Sequence, residues 1–162
     1  LQGEGARMEF TGITFAGAGQ DLDTGAKVVH AAPNTTSHIS TKSIARDGGV
    51  SNFRSSVVVL PNAKGSKSSV SCESLMLDDE SRSDTIPDII IENDDIDLGH
   101  EATIGRIPDE DIYYLMSRGL SEEDAKAMLV RGFAEPISKE LPLEYAVEMN
   151  RLINLEFEGA IG

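Results

Sequence analysis

The chain has 162 residues, with 28 acidic against 14 basic side chains and a formal net charge of −14. Such a field repels phosphate backbones, and with no Trp and only 5% aromatic residues there are few platforms for stacking bases, so nucleic acid is excluded as a partner. One cysteine cannot form an internal disulfide, and no signal peptide and no apolar run approaching ~20 residues is present, so the expectation is a cytoplasmic protein that neither crosses nor binds a membrane.

The opening "LQGEGARMEF" lacks an initiator Met and runs directly into strand-like alternation, as at the cut edge of a longer chain whose preceding residues would cover the first strand edge. Up to about Ile107 the sequence reads as short strands: "ARMEFTGITF", "AKVVHAA", "SHISTKSI", "FRSSVVVL", "SSVSCESLML", "DIIIEN" and "ATIGRI". Between them lie "GAGQ", "DTG", "PNTT", "RDGG", "PNAKGSK", "DDES" and "ENDD", where Gly, Asn, Asp and Pro supply turn geometry. Strand starts recur every ~12 to 16 residues, which suits an all-β sandwich or the coils of a solenoid. Ser and Thr inside the strands, as in "SHISTKS" and "SKSSVSCES", can form hydrogen-bonded ladders from rung to rung. No two-residue hairpin turn joins neighbouring strands, and together these features favour the solenoid.

After Ile107 helix signals take over. Pro108 suits a first helical position, Asp109, Glu110 and Asp111 complement the dipole, and Gly119 suits a left-handed C-terminal cap. Ser121 and Asp124 make a capping box for a second helix carrying Ala125, Met128, Leu129 and Phe133 on its apolar stripe, which Gly132 and Pro136 are expected to end. A third helix from about Leu141 places Leu143, Ala146, Val147, Met149, Leu152 and Ile153 on a broad apolar face. The division is therefore a β core over residues 1–107 and a helical subdomain over 108–162, the helices packed on the last strands.

Cys72, in "VSCESLML", is one candidate for chemistry, although free cysteine is among the most buried residue types and its neighbours do nothing to lower its pKa. His100 and Glu101, in "LGHEATIGRI", are the second, two potential metal ligands placed between strands. With ~14 residues per coil His100 lies two coils beyond Cys72, roughly 10 Å away. One thiolate, one imidazole and one carboxylate do not complete an iron–sulfur site, which ordinarily takes four ligands. A hydrolase with Cys72 as nucleophile and His100 or His30 as base lacks any oxyanion-hole loop. His30 and His38 read as strand or turn residues with backbone partners, "GAGQDLDTG" is not a phosphate loop, and the acidic turns lack the spacing of a calcium loop.

The segments "DTGAKVVHAAPNTTSHISTKSIARDG", "SCESLMLDDESRSDTIPDIIIEN", "GHEATIGRI", "LSEEDAKAMLVRGF" and "ELPLEYAVEMNRLINLEFEGAIG", in this order over essentially the whole chain, resemble the SufB/SufD family, in the C-terminal part of its SufB members. These are scaffold subunits of the SUF machinery for iron–sulfur cluster assembly. The resemblance implies a mainly β fold, a right-handed parallel β-helix followed by a small α-helical subdomain. It implies a scaffold and no enzyme, with pairing through the β-helices to SufD or to a second SufB. It also implies docking of the ATPase SufC on the C-terminal helices, and sulfur supplied by the desulfurase SufS through SufE or SufU.

The family's cysteine motif falls on Cys72 as cluster ligand and sulfur acceptor, and its "HEA" falls on His100 and Glu101 as further ligands, a partner histidine completing the site. Gly99 stands where many SufB sequences have Glu. SufD-like chains generally lack the cysteine, so Cys72 favours SufB. The implied cargo is a transient iron–sulfur cluster, and the full complex is implied to use reduced flavin. The competing reading is a structural β-helix module that holds partners around an inert, buried Cys72.

Overall fold

In a computed structural model, which describes residues 1–157, seven strands precede three helices. The strands are β1 (Arg7–Ala16), β2 (Asp21–His30), β3 (Thr36–Ala45), β4 (Val50–Val59), β5 (Ser66–Met76), β6 (Arg82–Ile91) and β7 (Ile96–Arg106). Odd-numbered strands form one parallel sheet in the order β1-β3-β5-β7, and even-numbered strands form a second in the order β2-β4-β6. Each coil thus contributes one strand to each sheet, and about three coils stack into a parallel β-solenoid.

The repeat is the coil. Arg7 pairs with Thr36, Thr36 with Lys67 and Ser66 with Ile96, so rungs recur every 29 to 31 residues within this sheet. The expected spacing of ~14 residues is therefore half a coil, because the flattened solenoid crosses the lumen once between successive strands. Side chains alternate between lumen and exterior. Val28, Ile39, Phe53, Val57, Val59, Val70 and Cys72 form the lumen core, where each large aliphatic side chain contributes about 1.5–3 kcal/mol.

Hydroxyl ladders run between rungs as the Ser/Thr content predicts. Thr35 and Ser66 oxygens are 2.8 Å apart, as are those of Ser37 with Ser68 and of Ser43 with Ser74. Ser83 of β6 donates to Ser74 at 2.9 Å, tying one sheet to the other. His30 is fully buried with Nδ1 2.7 Å from Thr35 and Nε2 2.9 Å from Ser37, so its partners are side-chain hydroxyls and not the backbone groups expected. Burial holds its imidazole below the usual value.

The turn from β3 to β4 needs special backbone. Asp47 and Gly48 have φ of 54° and 75°, and a Cβ on Gly49 would stand 2.4 Å from the Ala16 carbonyl oxygen.

The helices are α1 (Asp109–Ser117), α2 (Glu122–Glu140) and α3 (Leu143–Phe157). Pro108 is the N-cap of α1 and not its first helical residue, while Gly119, with φ of 97°, takes the left-handed position expected. Ser121 caps α2 by accepting from the Asp124 amide at 3.1 Å. The expected stop at Gly132 and Pro136 does not occur. Proline removes one amide donor, yet α2 continues to Glu140 because Ala134 and Ile137 beyond and around the break are buried.

The apolar stripe of α2 is also rotated from the expected one: Ala125, Ala127, Val130, Ala134 and Ile137 are buried and Met128 is exposed. A second core joins helices to solenoid, with Ile44 of β3, Ala127, Val130 and Ala134 of α2, and Ile153 and Phe157 of α3, flanked by Ile13, Phe15 and Leu75. The helices thus lie along the outer face of the odd-strand sheet, over the C-terminal ends of β1, β3 and β5, and are not confined to the last strands. Half of the expected face of α3 is open, and Ala146 and Met149 are half-buried. Leu143, Val147 and Leu152 are exposed, and only Ile153 and Phe157 are buried.

Candidate functional site

Cys72 lies mid-strand in β5 with Thr41 one rung before it and Ala102 one rung after. Position 72 shares the lumen face with Ser68, Val70 and Ser74, the buried positions of the strand. The thiol is 3% exposed and belongs to the lumen core. Across the lumen β6 brings Thr85, one rung beyond Phe53. Burial pushes the thiol pKa up, and the nearby Thr41 and Thr85 hydroxyls act in the opposite direction. Beside Thr41 the lumen opens into a cavity of about 180 Å³ lined by Phe10, Gly12, Thr14, Thr24 and Phe53 among others.

His100 and Glu101 do not lie between strands. Both are inside β7, so pleating sends them to opposite faces. His100 pairs with Val70 and therefore shares the lumen face with Cys72; Glu101 pairs with Ser71 on the outer face and is exposed. Cys72 and His100 are one coil apart, not two, on adjacent strands and displaced by two residues. Strand spacing and rise put their Cα atoms about 8 Å apart on the diagonal.

The His100 Nε2 is buried and has no hydrogen-bond partner among the described residues. In the tautomer protonated at Nδ1 this nitrogen offers a lone pair of the kind transition metals take, on the lumen face that also carries Cys72. Among the described residues no three His, Cys, Asp or Glu side chains converge. The chain thus brings Cys72 and His100 together and sets Glu101 apart.

Outside the lumen, Lys42 is nearly buried beneath α2. Its Nζ is 2.7 Å from Glu73, one rung on, and 4.4 Å from the centre of the Phe133 ring. His38 Nδ1 is 2.6 Å from Ser69 on the exposed face. Thr41, Thr85 and Lys42 were not singled out from the sequence. A repeat of 31 residues, which sets Thr41 and Lys42 beside Cys72 and Glu73, was the signal that would have found two of them.

The last strand of each sheet leaves an open end. Ile89 and Ile91 of β6 are 41% and 47% exposed, and Ile104 of β7 is 47% exposed. These are lumen-facing positions, in register with Val57, Val59 and Ser74.

The family model described as "SUF system FeS cluster assembly, SufBD core domain" matches residues 1–133. The chain belongs to the SufBD family. The SufBD match runs past the last strand into α2. An iron-sulfur cluster assembly SufBD family protein of Mycobacterium tuberculosis is 54% identical over 162 residues, all of this chain and 19% of that protein. SufBD family proteins of Staphylococcus saprophyticus and Staphylococcus aureus are likewise 54% identical over the whole chain, which covers 35% of each. The chain spans about a fifth to a third of the SufBD relatives it matches. The system to which the SufBD family belongs assembles iron–sulfur clusters, and no helix among the described residues is long and apolar enough to cross a membrane.

Proposed function

We propose that this chain is part of a SufB-type scaffold in which Cys72 accepts sulfur and, with His100, ligates the nascent iron–sulfur cluster, which is cargo and not a resident cofactor. The observation that carries the reading is the buried, unpartnered His100 Nε2 on the same lumen face as Cys72 and one rung away. Thiolate and imidazole are both ligands for iron, and two of them leave about half of a four-ligand site to be supplied from elsewhere.

The open lumen end supports a source for the rest. Exposed Ile89, Ile91 and Ile104 form an apolar surface that favours cover by another solenoid, SufD or a second SufB. Glu101, exposed on the outer face of the edge strand β7, is offered to that partner. The helical subdomain, taken as residues 108–162, docks SufC through side chains exposed among the described residues, such as Tyr113, Leu143 and Tyr145. ATP hydrolysis belongs to SufC and sulfur to SufS with SufE or SufU. The reading assigns no flavin to this chain and places it in the cytoplasm, where a lone thiol stays reduced.

Cys72→Ser in the full-length protein tests the reading. Iron and acid-labile sulfide recovered with the assembled complex are expected to fall to background while the partners still co-purify. Normal cluster content would overturn the assignment. Burial of Cys72 favours the second reading, a holding module with an inert thiol, and that same normal result would support it.

A further inference from the structure

We propose that residues 99–105 of β7 form a strap over Cys72 that opens by itself, while the rest of the solenoid stays folded, and so gives an enclosed thiol its access. The purpose of that access rests on the sulfur-accepting role proposed above; the opening does not. Cys72 is 3% exposed, and the rung that closes over it is β7, where Ala102 is its register partner. β7 is weakly held between two firm ends. At one end Ile107 is buried in the core shared with the helices, and its amide donates to the Met76 carbonyl at 3.3 Å. At the other the Asp95 carbonyl accepts from the Gly65 amide at 2.9 Å.

Among the described residues no side chain of β7 is buried, whereas β5 buries Ser66, Ser68, Val70, Cys72 and Ser74. Glu101, Ala102, Thr103 and Ile104 are exposed in succession. The apolar anchors of β7, Ile96 and Leu98, pack against the lumen core but lie ahead of the strap. The strap itself therefore depends on its ladder to β5, along one edge only, because β7 ends the sheet. Segments with few buried apolar contacts open locally at free energies below that of global unfolding. Two glycines bracket the stretch. Gly99 and Gly105 have no positive φ, and a Cβ on either would meet no described atom within 4 Å, so neither backbone geometry nor packing requires glycine there. Glycine inside a strand loses more conformational freedom on ordering than alanine does, which loosens the strand. His100 lies between them, so the opening that uncovers Cys72 carries this imidazole out of the lumen, and closure returns it to the face Cys72 occupies. A partner solenoid seated on the open lumen end holds the strap shut.

Alkylation of Cys72 by iodoacetamide in the full-length protein, read by peptide mass spectrometry, follows the opening under native conditions. Hydrogen exchange over residues 99–106 follows it without the thiol. Both are expected to hold nearly constant rates across low urea, well ahead of the global transition seen by circular dichroism. Gly99→Ala and Gly105→Ala are each expected to slow both by about threefold. Gly132→Ala, inside α2 where a Cβ also meets no described atom within 4 Å, strengthens that helix and is expected to leave both rates unchanged. Labelling and exchange that track global unfolding, or that ignore both β7 substitutions, would overturn the proposal. Equal slowing by Gly132→Ala would do the same, since it puts Cys72 behind a global transition. Should Cys72→Ser leave cluster content normal while the strap opens as expected, the sulfur-accepting role fails and the strap stands. Loss of clusters in Cys72→Ser with labelling confined to global unfolding gives the reverse.

Discussion

Replacing Glu73 by Ala should destabilise the protein far more than replacing Lys42 by Met, although the two side chains form one ion pair. The Lys42 side chain is 7% exposed and that of Glu73 43%, so the partners differ in what they lose when left alone. Without Glu73, a buried ammonium keeps only the Phe133 ring, 4.4 Å away. Leaving one member of a buried pair uncompensated costs about 3–5 kcal/mol. Water reaching the half-exposed carboxylate site and the retained cation–π contact reduce this to about 2 kcal/mol.

With Met in place of Lys42, the aliphatic stem still packs under α2 and the orphaned carboxylate turns into solvent, at a cost of about 0.5 kcal/mol or less. The double variant should recover most of the loss seen in Glu73→Ala, because no buried charge remains. Urea denaturation followed by far-UV circular dichroism reads all three. Equal costs for the two single variants would show that the pair behaves as a solvated surface bridge, and a double variant no better than Glu73→Ala would show that Lys42 is not the group in distress.

Neutral His30 is built into the lumen, and its pKa is held below the ordinary value of 6.5, so the unfolded chain takes up the proton first. Stability conferred by the neutral ring is fully present above about pH 6.5 and declines as pH falls below it; the denaturation midpoint should drop between pH 7 and pH 5, and His30→Gln should lose most of that dependence. Ile89→Asp should change stability by less than about 1 kcal/mol because the side chain is 41% exposed, yet abolish association with the partner solenoid in size-exclusion and pull-down measurements. Unimpaired association would remove the open lumen end from the interface.

Local signals favoured the solenoid over a sandwich, and the resemblance to the SufB/SufD family decided between them. Turn residues at regular intervals, hydroxyls inside strands and the absence of hairpin turns each act over a few residues, and the helix caps at Ser121 and Gly119 are local in the same way. The end of α2 was not legible. Gly132 and Pro136 argue for a stop on propensity, and burial of Ile137 and of Ala134, the latter in the core shared with the solenoid, outweighs them. For the candidate site, Cys72, His100 and Glu101 were singled out by side-chain type and given roles by the family resemblance, but a coil taken at half its length misplaced their spacing.

By itself the sequence determined the number and order of the elements, the ladder chemistry and the residue types able to accept sulfur or bind iron, since these depend on side-chain identity and near neighbours; it did not determine every boundary, and "DTG", expected as a turn, lies inside β2. Only the tertiary structure decided which of these residues meet. One coil takes 29 to 32 residues because it passes through both sheets, and that length sets Thr41 beneath Cys72 and His100 diagonally after it. Strand pleating then turns Glu101 away, one residue further on, to the opposite face.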